Sequence, residues 1–290
     1  MLLLIGFALL VLGAAVVIGL RSLEQLPFLR DFLHTYPGAS RLPADAPTGL
    51  PIWLNWSHFL NAFFILLIIR SGLRVRSETR PDTYWTPRWS RNGAGKISLT
   101  VWFHQSLDVL WLLNGIVFLV LLFTTGQWMR IVPTSWDVIP NAVSAAIHYV
   151  SLDWPHDDGW LNYNALQLLT YFLTTFIAAP LAAITGFRMS SLWPKNAKTL
   201  SRLYPIEWAR KLHFPVMIYF VAFVIVHVAL VLATGAVDNL NHMYASRDDG
   251  SWIGPVTFLV SLAVMAGALL AARPFVLRAI ASLTGRLSNR

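Results

Sequence analysis

Long apolar runs dominate the chain, and short polar connections separate them. A helix that crosses the hydrocarbon core of a bilayer needs about 20 mostly apolar residues, and six stretches meet this requirement. The pattern therefore predicts an all-α integral membrane protein with six transmembrane helices. The predicted spans cover residues 2 to 20, 52 to 70, 101 to 124, 166 to 187, 214 to 234 and 253 to 272.

The first apolar run resembles a secretory signal peptide in position but not in composition. It lacks a basic segment before the apolar residues and a small-x-small cleavage site, and its apolar part is long. We therefore interpret it as a retained anchor helix. The polar connections are too short to form domains of their own, so a single membrane domain is expected. Its predicted parts are an N-terminal anchor helix and outer loop (1–50), a four-helix core (51–235) and a C-terminal helix with a basic tail (236–290).

Composition supports this interpretation and limits the possible cofactors. Hydrophobic residues make up 56% of the chain and charged residues only 12%, which excludes an ordinary soluble domain. The chain has no cysteine, so this sequence offers no ligand for an iron-sulfur cluster and no attachment point for c-type haem. Histidine remains as the soft metal ligand. The net charge of +8 lies mainly in loops between spans, where membrane topology explains it better than nucleic-acid binding.

The distribution of lysine and arginine predicts the orientation. Segments 70 to 100, 188 to 211 and 273 to 290 hold 17 of the 22 basic residues, and the connections at the opposite end hold five. We call the end with the basic segments the inner end and the opposite end the outer end. Because flanking basic residues stay on the cytoplasmic side, we expect a multi-pass protein of the bacterial cytoplasmic (inner) membrane with both termini in the cytoplasm.

Two histidines share the fifth predicted span. His213 and His227 are fourteen residues apart, which is nearly four helical turns, so both leave the same helix face with an axial separation of about 21 Å. This spacing suits two stacked haems. Histidines within a membrane are energetically costly and usually face the interior of a helix bundle. The alternative is that both are core histidines bonded to nearby carbonyl groups.

The predicted topology pairs these histidines with two others. His58 lies near the outer end of the second span and His104 near the inner end of the third. Depth therefore matches His58 with His227 and His104 with His213, which predicts two bis-histidine metal sites. Gly72 and Gly115 follow the histidine of their own helix at offsets that return to nearly the same face, each at the level of the other site. A porphyrin needs such gaps, although close helix packing also favours glycine.

At this point the chain resembles a known family. The runs WSHFLNAFFILLIIRSGLRV, YNALQLLTYF, TGFRM and RKLHFPVMIYFVAFVIVHV are similar to the di-haem cytochrome b subunits of respiratory hydrogenases, formate dehydrogenases and thiosulfate reductases, the last type above all. The resemblance covers roughly residues 50 to 235. It implies that His58, His104, His213 and His227 bind two b-type haems, with the same pairing that depth predicts. It also implies electron transfer between membrane quinone and a peripheral molybdopterin or iron-sulfur oxidoreductase.

Several polar residues are further candidates. Asp108 is the only acid well inside a predicted span, so proton exchange with a quinone is a natural role; an interfacial carboxylate bonded to a serine, amide or arginine is the alternative. Arg74 and Arg210 belong to a basic cluster near His104 and His213, where they could pair with haem propionates. Positive-inside anchoring alone also explains these arginines.

The outer end carries candidates of a weaker kind. Asn164, Gln167 and Tyr171 share one face at the start of the fourth span and could bond a propionate or a quinone, or simply cap the helix. Residues 137 to 149 form a modestly amphipathic stretch that predicts a surface helix. The four remaining histidines, for which solvent-exposed loop positions are the default expectation, are His34, His148, His156 and His242.

The sequence therefore favours a di-haem b-type cytochrome that carries electrons across the bilayer as a subunit of a quinone-linked oxidoreductase. Bis-histidine ligation leaves no open iron position for substrate chemistry. One alternative is a stand-alone membrane cytochrome that oxidises a small donor such as superoxide or ascorbate. A second alternative, from another class, is a metal-ion or proton transporter that uses the intramembrane histidines. No broken-helix pair or inverted repeat typical of transporters is evident.

Overall fold

A computed structural model describes residues 1–90, 93–154, 159–194 and 196–289. His156 lies outside the described residues. In chain order the elements are α1 Leu2–Leu23, α2 Pro27–Thr35, α3 Ile52–Ser77, β1 Thr83–Pro87, β2 Ile97–Ser98, α4 Leu99–Thr124, a 3₁₀ turn Gln127–Arg130, α5 Val138–Val150, α6 Ala165–Phe172, a π-helical segment Leu173–Ala178, α7 Ala179–Met189, α8 Lys198–Leu203, α9 Ile206–Ala233, α10 Ala236–Ala245, α11 Ile253–Ala271, α12 Pro274–Ser282 and β3 Gly285–Asn289.

Six helical spans in the described part of the chain are long and apolar enough to cross a membrane, and they confirm the six predicted spans. The protein is an all-α integral membrane protein. The spans are α1, α3, α4, the continuous helix formed by α6, the π-helical segment and α7, then α9 and α11. The spans extend beyond the predicted limits mainly at their inner ends, where polar and basic residues continue the helices past the apolar run.

Local sequence explains where the core helices begin. The Ser98 side chain accepts a hydrogen bond from the backbone N–H of Val101 at the start of α4. Asn164 and Gln167 form a reciprocal capping box at the start of α6, so capping is the role the structure gives these two residues. Prolines precede α3 and α9, at Pro51 and Pro205, where the missing N–H does not interrupt a helix.

The core contains two helix pairs. Helix α3 packs along α4, and α7 packs along α9. At the inner end α11 closes the first pair, where Leu67, Leu107 and Ala272 form a buried cluster against Phe63 and Phe103. At the outer end α10 contacts α3, α9 and α11 and so joins the two pairs. Helix α1 lies outside this core and contacts α5, to which the Arg21 side chain donates a hydrogen bond at the carbonyl of Ser151.

The inner end carries a small antiparallel sheet that the sequence did not reveal. The strand order is β2-β1-β3, so the C-terminal strand pairs with a strand nearly 200 residues earlier. Trp85 of β1 donates from its indole N–H to the carbonyl of Ala281 at 3.1 Å and packs on Trp102 of α4. Gly285 lies against the same indole, which leaves no room for a side chain there. The predicted basic tail is therefore folded over the inner end of α4.

Two irregularities mark the second helix pair. Ala179 donates its backbone N–H to Thr174, five residues earlier, and this wide turn lies just before Pro180. Pro215 lies inside α9 two residues after His213, so α9 lacks one backbone hydrogen bond next to that histidine. One irregularity therefore lies at the start of α7, and the other lies inside α9.

Candidate metal centres

The structure brings the four intramembrane histidines together in the two pairs expected from depth. The ring centroids of His58 and His227 lie 6.3 Å apart, and those of His104 and His213 lie 6.5 Å apart. The ring planes are tilted by 57° in the outer pair and by 84° in the inner pair. Each pair joins a histidine of the α3–α4 pair to one on α9, so both sites lie between the two helix pairs.

The inner pair has a hydroxyl group behind each imidazole. Ser71 Oγ lies 2.9 Å from Nδ1 of His104, and Thr185 Oγ1 lies 2.8 Å from Nδ1 of His213. Ser71 also donates to the carbonyl of Ile68 at 3.0 Å, and Thr185 donates to that of Leu181 at 2.6 Å. A hydroxyl has one proton to donate. We assign that proton to the helix carbonyl, so that each hydroxyl accepts from Nδ1–H and Nε2 of each histidine carries the lone pair.

The outer pair is enclosed by aromatic side chains. Nδ1 of His58 is buried, and no hydrogen-bond partner for it exists among the residues the structure describes. The ring of Tyr244 lies 5.8 Å from His58, Tyr171 lies 6.0 Å from His227, and Phe223 stacks on His227 at 5.4 Å with ring planes only 8° apart. Tyr244 comes from α10, outside the spans, and burial raises the pKa of its phenol. The outer site is therefore aromatic and neutral.

A glycine of the neighbouring helix lies against each inner imidazole ring. A Cβ added at Gly72 would lie 3.1 Å from Cε1 of His104, as expected for a gap at the inner level. Gly186, which the sequence analysis did not single out, has the same relation to His213 at 3.6 Å. A Cβ added at Gly115 would have no described atom within 4 Å, so Gly115 is not packed closely against another helix.

The charged candidates cluster around the inner pair. Asp108 Oδ2 lies 3.8 Å from Nε2 of His104, and the Asp108 side chain is half-buried, with 31% exposed. The alternative interpretation of Asp108 was a carboxylate bonded to a serine, an amide or an arginine. No such donor contacts Asp108 in the described part of the chain. Arg74 lines a small cavity with Arg70, next to Ser71. Arg210 is exposed near the start of α9, three residues before His213.

Comparison with known proteins now identifies the family. A family description, prokaryotic cytochrome b561, matches residues 49–245, which is more than half of the chain. The chain belongs to the prokaryotic cytochrome b561 family. A relative from Azospira oryzae, whose printed name is "Putative protein-methionine-sulfoxide reductase subunit YedZ1", is 28% identical over 194 residues, or 62% of this chain and 88% of the relative. No solved structure gives a significant match.

Members of the cytochrome b561 family bind haem b, and both histidine pairs fit such a group. A metal–imidazole bond is about 2.0 Å long, and the ring centre lies about 1.1 Å beyond the nitrogen. Two histidines on opposite sides of one metal ion would therefore have ring centroids roughly 6.2 Å apart. The observed 6.3 and 6.5 Å agree with this distance. With the protons assigned as above, Nε2 of both inner histidines carries the lone pair that can bind iron. Both residue type and spacing therefore suit bis-histidine ligation.

The outer connections form a cap that the sequence analysis missed. Arg130 is 1% exposed, and its guanidinium donates to the carbonyls of Gly49, Gly159 and Trp160. Its Cζ lies 4.9 Å from the ring of Tyr163, and Tyr163 in turn packs on Tyr171 with ring centroids 5.2 Å apart. Arg130 thus ties three outer segments together above the outer histidine pair. Its isolation in a long polar connection gave no sign of burial.

His242 corrects an expectation. The sequence predicted a solvent-exposed loop histidine, but His242 lies on α10, is 6% exposed and bonds Asp248 through Nε2 at 2.9 Å. Its ring also lies 5.3 Å from Trp160. The expectation was wrong because the connection after α9 folds back as a helix that covers the outer ends of α3 and α9. The predicted surface helix at residues 137 to 149 is present as α5.

Proposed function

We propose that the chain is a di-haem b-type cytochrome subunit of the kind found in respiratory oxidoreductases. Its haem ligands are His58 with His227 and His104 with His213. The observation that carries this proposal is the pair of imidazole–imidazole distances, repeated at two depths along α9. The sequence resembles the cytochrome b subunits of thiosulfate reductases, in which four histidines are paired in the same way. We therefore propose that the partner is a peripheral molybdopterin or iron-sulfur enzyme.

The geometry gives the chain's residues definite tasks. Haem held by two histidines would supply one-electron chemistry. His213 and His227, about 21 Å apart along one helix, would each hold one such group together with the histidine that faces it, and aromatic side chains enclose the outer pair. The two helix pairs fix the ligands from opposite sides. Electrons can therefore cross most of the bilayer without a moving carrier.

The name of a relative supports a partner of a particular kind. The Azospira relative is named as a subunit of a protein-methionine-sulfoxide reductase, and reduction of a sulfoxide consumes electrons. We propose that this chain likewise passes electrons from membrane quinol to a peripheral reductase. The distribution of basic residues supports a cytoplasmic membrane location with both termini inside. The division of the chain into anchor, core and tail remains a prediction.

The test of this proposal is haem content and quinol oxidation. Protein purified in detergent from haem-replete cells should contain two haem b per chain by pyridine haemochrome, and a short-chain quinol should reduce both haems in a stopped-flow experiment. Dithionite gives full reduction as the reference. A colourless protein would contradict the haem assignment, and two haems that dithionite reduces but quinols do not would contradict the quinone assignment.

Asp108 provides a sharper prediction for the quinone reaction. Oxidation of a quinol releases protons, and Asp108 is a carboxylate beside the inner histidine pair. General-base catalysis contributes roughly 10²- to 10⁴-fold, so we expect Asp108→Asn to slow quinol-driven haem reduction by at least about tenfold while haem content and dithionite reduction stay unchanged. Asp82→Asn, at an exposed acid of the inner end, is the matched control. If quinol reduces the haems of Asp108→Asn at the wild-type rate, Asp108 does not take part in the quinol reaction.

A further inference from the structure

Two short segments of the chain perform the same structural task at the inner histidines. Ser71-Gly72-Leu73-Arg74 lies near the inner end of α3, and Thr185-Gly186-Phe187-Arg188 lies near the inner end of α7. Both read as a hydroxyl residue, glycine, a bulky apolar residue and arginine. In both, the hydroxyl bonds Nδ1 of a histidine on the neighbouring helix and the glycine lies beneath the same ring. The chain therefore contains one device twice, once in each helix pair.

The chemistry of this device is set by its hydrogen bonds. Ser71 is 2% exposed and Thr185 1% exposed, so neither hydroxyl exchanges its partners with bulk water. Each hydroxyl lies within hydrogen-bond distance of a carbonyl of its own helix and of the imidazole, and we assign it as donor to the carbonyl and acceptor from the imidazole. A histidine that donates from Nδ1 is held in one tautomer and one ring orientation, and its Nε2 becomes a more basic ligand.

The outer pair lacks the equivalent contact on at least one ligand. Nδ1 of His58 has no acceptor among the described residues, although the atom is buried. Its nearest ring neighbour outside the pair is Tyr244, and Phe223 stacks on the other ligand, His227. The two sites therefore have the same ligands and the same ring separation but differ in what lies behind the imidazoles. The hydroxyl behind each inner imidazole is the difference between the two sites that acts directly on the ligand nitrogen.

We infer that Ser71 and Thr185 are positioning residues that fix both inner ligands and lower the reduction potential of the inner haem relative to the outer one. This inference rests on the proposed di-haem function. A more basic imidazole stabilises ferric haem over ferrous haem. A hydroxyl that accepts a hydrogen bond from Nδ1–H of the ligand should therefore lower the reduction potential of the haem. The chain thus carries a built-in potential difference between its two ends, with no difference in ligand type.

The inference can be tested by redox potentiometry on the purified full-length chain. The first measurement is haem content, because fewer than two haems in the wild type would contradict the proposed function and not the role of the hydroxyls. Ser71→Ala and Thr185→Val are then titrated with optical detection, and the His58→Ala and His104→Ala variants assign each transition to a site. We expect each hydroxyl variant to raise the potential of the inner haem and to leave the outer one unchanged.

Conservative variants separate the hydrogen bond from a packing effect. Ser71→Thr and Thr185→Ser keep a hydroxyl and should retain the wild-type potential. Thr170→Val removes a hydroxyl that bonds the carbonyl of Leu166 in the same span and should leave both potentials unchanged. Loss of the inner haem from Thr185→Val but not from Thr185→Ser would also support the positioning role. Unshifted inner potentials in both hydroxyl variants, with both haems bound and low-spin by EPR, would overturn the inference.

Discussion

His227→Ala should lose one of two b-type haems and retain the other, and His58→Ala should lose the same one. His104→Ala and His213→Ala should each lose the second haem. The reason is geometric, because each iron needs both imidazoles of a pair and the ring centroids pair only in this way. One remaining axial ligand cannot hold a low-spin bis-histidine haem. This is the largest effect expected from any single substitution in the chain.

Pyridine haemochrome and reduced-minus-oxidised spectra of the four variants measure this outcome. Two variants of one pair should give the same residual spectrum, and a double variant with one change in each pair should be colourless. His148→Ala is the control, since His148 lies on α5 and its Nδ1 lies 3.4 Å from a carboxylate oxygen of the exposed Asp153. Loss of both haems from every single variant, or crosswise pairing of the spectra, would contradict the ligand assignment.

Much of this arrangement could be predicted from the sequence because it depends on local periodicity. Fourteen residues between His213 and His227 define a shared helix face, and the lengths of the apolar runs define the spans. Topology then fixed the depth of His58 and His104. The level of Gly72, at the depth of the inner pair, also followed from helix geometry alone. These inferences needed only rise and rotation per residue.

Contacts between distant segments could not be predicted in this way. Ser71 and Thr185 look like ordinary helix hydroxyls, and only the packing of α3 on α4 and of α7 on α9 shows that each bonds a histidine. Strand β3 pairs with β1, from which it is separated by more than half of the chain. Single-sequence periodicity contains no information about such partners. The duplicated hydroxyl-glycine-apolar-arginine segment was visible in the sequence, but no repeat period accompanied it.

Arg130→Met should destabilise the outer cap strongly and release the outer haem before the inner one. The guanidinium donates hydrogen bonds to four backbone carbonyls, those of Pro47, Gly49, Gly159 and Trp160. Methionine fills a similar volume but leaves these carbonyls without this donor in a buried site. Hydrogen bonds to charged groups contribute about 1.5–3 kcal/mol each, offset in part by the desolvation of the charge. The carbonyls of Gly49 and Trp160 keep other donors, so a net loss on the order of 1–3 kcal/mol is expected.

The effect should be confined to one site because of how the cap connects to it. Arg130 contacts Tyr163, Tyr163 packs on Tyr171, and Tyr171 packs on His227, whereas no described contact joins Arg130 to the inner pair. Burial raises the pKa of the Tyr163 phenol and the charge of Arg130 opposes that shift, so the phenol stays protonated and packs as a neutral ring. Removing Arg130 thus loosens the ring that supports Tyr171.

Thermal release of haem, followed by absorbance in detergent, measures the prediction. Arg130→Met should lose its outer haem at a clearly lower temperature than the wild type, and Arg130→Lys should fall between them, because an ammonium group cannot reach the same set of carbonyls. Arg247→Met is the matched control, since Arg247 also lies in an outer connection but makes an exposed ion pair with Asp249, which contributes little to stability. Simultaneous release of both haems from Arg130→Met would show that the cap supports the whole bundle and not the outer site alone.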